Sequence, residues 1–456
     1  MAARIGFLPF YLALYDEVAK QNREVIEPFY QKIAQELSSK GIIVETSPIC
    51  RVQKEFEDAI KMFNSKGVDA LVSLHLAYSP SLESLPALLN TDLPLVILNT
   101  TPEPQFGFRQ NPQQITFNHG IHGVQDMCSM LVRHKRPFMI ESGHWQDSDV
   151  IDRVVEILRG ISAAKNFRNT TVGVIGDPFT GMGDFFITPA QMKADFDIDV
   201  IPVPEIASSP DIEDINDELI YLDSLFSFDS VSEEVLRENV LITKKLKDWT
   251  ADKGITAFTC NFREVTDSSP VNRVPFLFAG VGMYEGIGYA GEGDILTASL
   301  AHALLSINKE TTFTEMFCPD WKDNRIFLSH MGEINPRICK EKATLAAKPY
   351  TYSSGLQPLY ITGECRKGEV LLLNLIPMLN RSYRLLVCPM RMEESDTTTF
   401  EKNVRGWIKP KIRIDEFLTK YSLFGGTHHS VLCYDESITS MKTFGEQMGW
   451  EVIIIE

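Results

Sequence analysis

The segment Gly286-Ile287-Gly288-Tyr289-Ala290-Gly291-Glu292-Gly293-Asp294 sets two acidic residues in a glycine-rich turn that runs straight into an apolar helical stretch, residues 295–306. Its glycines spell G-x-G-x-x-G, the pattern of a dinucleotide-binding turn, in which the backbone closes on a pyrophosphate at the positive end of the next helix. Its Glu292 instead reads as a carboxylate held at a helix start, available for metal or proton chemistry. Charge separates the two readings. Glu292 and Asp294 suit the helix dipole, but they occupy and repel the place a pyrophosphate needs. The run before them, Val281-Gly-Met-Tyr-Glu, is too polar and glycine-rich for a buried first strand, and an isolated G-x-G-x-x-G is weak on its own. A nicotinamide-dependent oxidoreductase resting on Gly286, Gly288 and Gly291 is therefore the weaker alternative, and no nicotinamide cofactor is expected.

Upstream of this turn, short apolar runs alternate with longer amphipathic ones, the pattern of parallel strands joined by crossover helices. Strands are expected at residues 4–10, 41–49, 69–76, 94–100 and 137–142, each rich in Val, Ile or Leu as strands covered on both faces should be. Helices are expected at 16–40, 55–66, 122–134 and 148–165. A polar break at 166–171 precedes a second strand series from Val172, with an acidic segment at 211–217 read as a loop or short helix and a long helix at 233–253. Beyond residue 310 strands follow one another without regular helices, at 325–330, 369–376, 383–389 and 406–412, which predicts an antiparallel, partly barrel-like or sandwich domain. The tail reads as a helix at 437–448 and a last strand at 451–455. The expected division is an α/β domain over 1–167, a second α/β domain over 168–309 and a strand-rich domain over 310–456.

Composition narrows the partners. The 456 residues carry 44 basic and 61 acidic side chains, a formal charge of −17, and no local basic patch, so nucleic acid and anionic membrane surfaces are not expected partners. Eight cysteines are scattered without a C-x-x-C, as buried thiols of a reducing compartment would be. The first residues lack the basic, apolar and small-residue regions of a signal peptide, and no apolar run reaches membrane-spanning length, so a cytoplasmic location is expected.

Glu292 has company downstream: Glu315 in Thr312-Phe-Thr-Glu-Met, His330 in Leu328-Ser-His-Met, and His428-His429 in Phe424-Gly-Gly-Thr-His-His-Ser. Each has a plain structural explanation, respectively a helix cap, a solvated strand residue, a satisfied histidine at a strand end and a polar turn. Together they offer carboxylate and imidazole donors without a thiolate. That set suits a labile divalent ion, Mn²⁺, Mg²⁺ or Co²⁺, better than structural zinc. Their spacings form no local metal motif, so spacing alone does not join them.

Five segments then point the same way. Asn118-His-Gly-Ile-His-Gly-Val-Gln-Asp-Met, Ala290-Gly-Glu-Gly-Asp, Phe313-Thr-Glu-Met, Leu328-Ser-His-Met-Gly-Glu and Gly425-Gly-Thr-His-His-Ser resemble, in the same order, segments of bacterial L-arabinose isomerases and their L-fucose isomerase relatives. The resemblance runs from about residue 115 to the end. It implies Rossmann-like N-terminal and central α/β domains followed by a C-terminal domain rich in antiparallel strands. It also implies an aldose–ketose isomerase using Mn²⁺, built as a trimer-based homo-oligomer such as a hexamer with shared active sites. Carried over by motif, the metal-binding carboxylates, which are also the catalytic acid–base pair, fall on Glu292 and Glu315. The metal-binding histidines fall on His330 and His429, with His428 a neighbour on the substrate side. His122 matches a histidine that reaches the substrate from an adjacent subunit.

This sequence departs from that pattern where substrate is expected to lie. The family's Gly-Ser-Gln-His-Leu-Tyr is replaced by Phe7-Leu-Pro-Phe-Tyr-Leu-Ala-Leu-Tyr, and a glutamine three residues before the conserved histidine by His119. The loop Gly176-Asp-Pro-Phe-Thr-Gly-Met-Gly-Asp-Phe also differs. The expected activity is thus interconversion of an aldose and a ketose through an enediol, on a monosaccharide that these changes select. A non-catalytic sugar-binding or sensing protein is the alternative from another class, though a sensor has no use for the Glu292, Glu315, His330, His429 set.

Overall fold

The computed structural model describes residues 3–204, 215–395 and 399–456. Two compact units divide the chain, Met1–Ser162 and Ala163–Glu456. In the first, β1 (Arg4–Phe10), β2 (Ile43–Thr46), β3 (Ala70–His75), β4 (Leu95–Asn99) and β5 (Met139–Ser142) form a wholly parallel sheet in the order β2-β1-β3-β4-β5. Alternate residues of the same strands feed two separate cores: Ile5, Phe7, Val72 and Leu98 enter one, Leu8, Phe10, Leu71 and Ile97 the other. Both faces are therefore covered, which is why these strands read as unbroken apolar runs rather than alternating ones. The order reverses between β1 and β3, and the crevice beyond their carboxyl ends is where an open sheet of this kind presents polar groups.

The single helix expected over 16–40 is in fact three pieces: Tyr15–Val18, a 3₁₀ turn at Lys20–Asn22 and Arg23–Ser39. Ala19 leaves the helical region at φ −144°, and the fold at this point lets the Arg23 guanidinium reach back to Asp16 through two bonds of 2.7 and 2.8 Å. A helix at Ser81–Leu89 escapes the periodicity because Pro80 and Pro86 bracket its turns.

The second unit opens with β6 (Thr171–Ile175) and β7 (Asp199–Pro202); β8 (Phe226–Asp229), β9 (Ala257–Cys260) and β10 (Gly288–Gly291) follow in the chain. Four of these make a parallel sheet in the order β10-β9-β6-β7. Segment 211–217 lies largely outside the described residues; a helix runs from Asn216 to Leu225, and another occupies Glu233–Lys253. The polar-looking run before the glycine-rich turn is a helix, Phe276–Glu285, buried from Phe276 to Met283 and ended by Gly286 in a left-handed conformation. The turn itself contains β10. Gly288 has a packing duty there: a Cβ on it would lie 2.3 Å from the Ala298 carbonyl oxygen and 2.5 Å from the His302 nitrogen. The strand thus rides on the backbone of the next helix, Ile295–Ile307, and the glycines serve strand–helix contact. Gly288→Ala is expected to cost about 1–3 kcal/mol by overpacking, read as a lower thermal midpoint. An unchanged midpoint would contradict so close an approach.

The remaining strands are β11 (Thr311–Asp320), β12 (Arg325–Ser329), β13 (Ala343–Ala347), β14 (Leu359–Glu364), β15 (Gly368–Pro377), β16 (Tyr383–Glu393), β17 (Val404–Pro410), β18 (His429–Tyr434) and β19 (Glu451–Ile454). They join one sheet in the order β19-β16-β15-β18-β11-β12-β17-β14-β13-β8, and β16 also pairs with β17. That extra pairing closes β16-β15-β18-β11-β12-β17 into a six-stranded antiparallel ring, the partly barrel-like domain that the strand spacing suggests. Closure removes edges that would otherwise be exposed. β8 extends the sheet by pairing in parallel with β13, so residues 168–309 and 310–456 share a sheet within one unit. Among the described residues no helix is long and apolar enough to cross a membrane.

Candidate metal centre

Sheet register assembles the polar cluster. On β11, Glu315 stands opposite His429 of β18 on one side and Ser329 of β12 on the other, and His330 is the next residue after Ser329. Three neighbouring strands therefore bring one carboxylate and two imidazoles into a row, although Glu315 and His429 stand 114 positions apart in sequence (429 − 315). Glu292 arrives from the end of β10, one residue beyond the strand. Its backbone is left-handed at φ +64°, a conformation that costs a non-glycine residue about 1–2 kcal/mol. Bonds on both sides hold it there: Glu292 N–H donates to the Cys260 carbonyl at 2.9 Å, its own carbonyl accepts from Phe179 N–H at 2.9 Å, and Gly293 N–H donates to Thr259 Oγ1 at 3.0 Å.

The side-chain atoms then converge. His429 Nε2 is 3.4 Å from both Glu292 Oε2 and Glu315 Oε1, and His330 Nε2 is 3.0 Å from Glu315 Oε1. Donor atoms of Glu292, Glu315, His428 and His429 all lie within 4.8 Å of one another. His330 falls outside that mutual set and joins the cluster through Glu315. Each imidazole is gripped at Nδ1 by a carboxylate: His429 by Asp294 at 2.9 Å, His330 by Glu333 at 2.5 Å and His428 by Asp184 at 2.7 Å. Asp294 and Glu333 are fully buried. Asp294 also caps the helix behind it, accepting from Thr297 N–H at 2.8 Å, and Glu333 accepts from the Tyr289 hydroxyl at 2.8 Å and Gly332 N–H at 2.7 Å. With every Nδ1 engaged, each Nε2 is turned toward the carboxylates, the orientation that outer carboxylates impose on metal-binding histidines.

Glu292 Oε2, Glu315 Oε1 and His429 Nε2 are buried and make no hydrogen bond of good geometry, although His330 Nε2 stands 3.0 Å from Glu315 Oε1. Unpaired polar atoms of this kind are costly unless something satisfies them. Donors about 2.1 Å from one octahedral ion lie roughly 3 Å apart, close to the separations of 3.0–3.4 Å found here. A divalent cation fits the donor set. In the metal-free protein, protons would answer the same charges. Burial works against ionising Glu292, yet His428 and His429 hold its pKa down at about 2, and His330 and His429 depress Glu315 further against the same penalty. Burial also disfavours a charged His330, but Glu333 and Glu315 push it up to about 10; Asp294, Glu292 and Glu315 raise His429 well above the usual imidazole value in the same way.

Those directions fix the pH response of the metal-free protein. His330, raised from 6.5 to about 10, contributes stability that is complete below pH 6.5 and is lost as pH rises through 10. Glu292, lowered from 4.5 to about 2, contributes stability present above 4.5 and lost as pH falls through 2. Thermal unfolding in chelator is therefore expected to show its highest midpoint between these flanks and a decline from pH 7 to pH 9.5. A midpoint rising over that interval would contradict the assignment.

Comparison with known proteins bears on the same residues. A family model described as the L-arabinose isomerase central domain matches residues 188–310, and one described as the L-arabinose isomerase C-terminal domain matches residues 310–451. Together they cover more than half of the chain, including Glu292, Glu315, His330, His428 and His429. The chain belongs to the L-arabinose isomerase family. Similar proteins named L-arabinose isomerase include that of Shouchella clausii, 24% identical over 97% of this chain and 91% of the relative. That of Erwinia tasmaniensis is 24% identical over 94% and 90%, and that of Tolumonas auensis 25% identical over 85% and 81%.

Within this member of the L-arabinose isomerase family, His119 and His122 form a cluster in the first unit. The Tyr15 hydroxyl lies 2.9 Å from His119 Nε2, and the two histidine rings are 5.4 Å apart. Burial, and secondarily His122, lowers the His119 pKa. Sequence reasoning missed Glu333, Asp184 and Phe185, and saw only the capping half of Asp294. Glu333 had a local signal, since His330-x-x-Glu333 sits inside Leu328-Ser-His-Met-Gly-Glu. Asp184 lay in the loop 176–185 that departs from the family pattern, but nothing in the sequence tied it to the histidine it holds, 244 residues away. Phe185 stacks on His429 with ring centroids 4.6 Å apart, and it too is reached only through the fold.

Proposed function

We propose that this chain is a divalent-metal-dependent aldose–ketose isomerase that moves the carbonyl of an open-chain monosaccharide between C1 and C2 through an enediol. The observation that carries this reading is the convergence of the unpartnered Glu292 and Glu315 oxygens on His429 Nε2. Glu292, Glu315, His330 and His429 would hold the ion. A divalent ion held there would supply Lewis-acid stabilisation of the negative charge that develops on the substrate oxygens. The carboxylates perform the proton movements: one takes the proton from the carbon next to the carbonyl and returns it to its neighbour, and the other serves the proton that passes between the two oxygens. Both are held ionised at neutral pH, so both start as acceptors. Asp294 and Glu333 keep the imidazoles in one orientation, and Phe185 covers the His429 face against water.

Mn²⁺ is the proposed ion, with Mg²⁺ and Co²⁺ as alternatives. A cytoplasmic homo-oligomer built on trimers is part of the same proposal, with His122, His119 and His428 on the substrate side and His122 serving a neighbouring copy. The three-domain division at 167 and 309 is likewise proposed. The deciding experiment is a panel of aldoses and ketoses, L-arabinose among them, assayed for interconversion with Mn²⁺ present. Turnover of one pair supports the reading. Sugar-dependent stabilisation that needs no metal, with no interconversion across the panel, overturns it in favour of a sensor.

A further inference from the structure

Three imidazoles face the carboxylate pair, and they are not equivalent. The side chains of His429 and His330 are 0% and 4% exposed, whereas that of His428 is 39% exposed. Its Nε2 lies 3.6 Å from Glu292 Oε2, farther than the 3.4 Å that separates His429 Nε2 from each carboxylate. His428 therefore stands at the open side of the cluster, where a sugar must enter. It is nevertheless fixed at two points: Asp184 Oδ2 accepts its backbone N–H at 3.0 Å and its ring Nδ1–H at 2.7 Å.

Asp184, whose side chain is 41% exposed, belongs to a loop that is anchored to the site at both ends. At its start, Phe179 N–H donates to the Glu292 carbonyl, and a Cβ on Gly293, whose φ is +88°, would lie 2.5 Å from Pro178 Cα. At its end, Phe185 stacks on His429 and tilts toward His428 at 5.7 Å. The segment 176–185 thus connects the Glu292 backbone to the His428 ring. It is also one of the three places in which this sequence departs from the family pattern.

We propose that Asp184 is a positioning residue for the isomerisation: it holds His428 with Nε2 over Glu292, so that His428 hydrogen-bonds a hydroxyl of the open-chain sugar and leaves the metal to the buried donors. This rests on the isomerase reading above. A polyol is the suitable partner for a half-exposed imidazole 3.6 Å from a carboxylate oxygen, because each sugar hydroxyl can accept from one group and donate to the other. Fixing the ring in advance reduces the ordering cost of binding, which is what the two-point hold of Asp184 supplies.

The test uses the full-length protein and three readouts: Mn²⁺ binding alone, binding of arabinitol as a non-reacting open-chain probe in the presence of Mn²⁺, and kcat and KM on whichever sugar the unaltered protein turns over. Asp184→Ala is expected to keep Mn²⁺ affinity within about 3-fold while weakening arabinitol binding and kcat/KM by about 10-fold or more, the scale of one lost hydrogen bond in a protected site. Asp184→Asn, whose amide oxygen still accepts Nδ1–H, should recover most of that loss. His428→Ala should match Asp184→Ala, and the double variant should be no worse than His428→Ala. Loss of Mn²⁺ affinity in Asp184→Ala equal to that in His429→Ala would make His428 a metal ligand and overturn the proposal. So would additive losses in the double variant, or unaltered arabinitol binding in Asp184→Ala. An unaltered protein that neither binds arabinitol nor converts any sugar overturns the isomerase reading itself, a result visible before any variant is made.

Discussion

Glu292→Gln is expected to lower kcat by about 10³-fold or more, within the range that general acid–base catalysis contributes, while Mn²⁺ binding falls far less. The asymmetry comes from what glutamine keeps and loses. Its amide oxygen preserves an oxygen donor of nearly the same size and position, and the left-handed backbone at φ +64° is held by main-chain bonds of Glu292 to Cys260 and Phe179 and by Gly293 N–H on Thr259 Oγ1, all of which the substitution leaves intact. It loses the negative charge and the ability to accept a proton. Residual affinity for sugar should persist, so the loss should appear in kcat more than in KM, the sign of an interaction made in the transition state. Single-turnover mixing with the Mn²⁺-loaded variant checks this directly. Turnover within a few-fold of the unaltered protein would remove Glu292 from the acid–base pair, and equal collapse of metal affinity and turnover would reduce it to a ligand.

The legibility of the chain followed the range of the interactions. Strands covered on both faces announce themselves by composition, and β1 and the helix Glu233–Lys253 stand where the pattern puts them. The break at Ala19 was illegible because the contacts that accompany it, Asp16 with Arg23 and with Arg51, are not local, and Arg51 lies 35 residues from Asp16. The barrel closure depends on β16 pairing with both β15 and β17, which strand spacing suggests without specifying. In the site, charge was readable: two carboxylates at a helix start argue against a pyrophosphate from sequence alone. Convergence was not, since the row of Glu315, His330 and His429 exists only in the register of β18, β11 and β12. Motif resemblance supplied what spacing could not. Neither assigned a role to the outer carboxylates Glu333 and Asp184, and the first of these forms part of a buried Tyr289–Glu333–His330 chain that fixes which nitrogen faces the site.

Exhaustive chelation is expected to remove isomerisation by about 10³-fold or more, and Mn²⁺ to restore it, because Glu292 and Glu315 alone cannot supply the several kcal/mol of charge stabilisation that an enediolate needs. Without the ion the carboxylates are already answered by protonated His330 and His429, so the metal-free site is neutralised rather than poised. This sets the pH dependence of reconstitution. Below its folded-state pKa of about 10, His330 carries a proton that a bound cation must displace, and His429 carries another. Apparent Mn²⁺ affinity should therefore rise with pH between 6 and 8, by about tenfold per pH unit for each proton released. Calorimetry in buffers of different ionisation enthalpy counts those protons. The same rise opposes the trend for folding: raising pH weakens the metal-free protein while strengthening its hold on the ion, so the stability gained from Mn²⁺ should widen with pH. Activity that survives chelation, or an affinity that falls from pH 6 to pH 8, would break the link between this cluster and a metal.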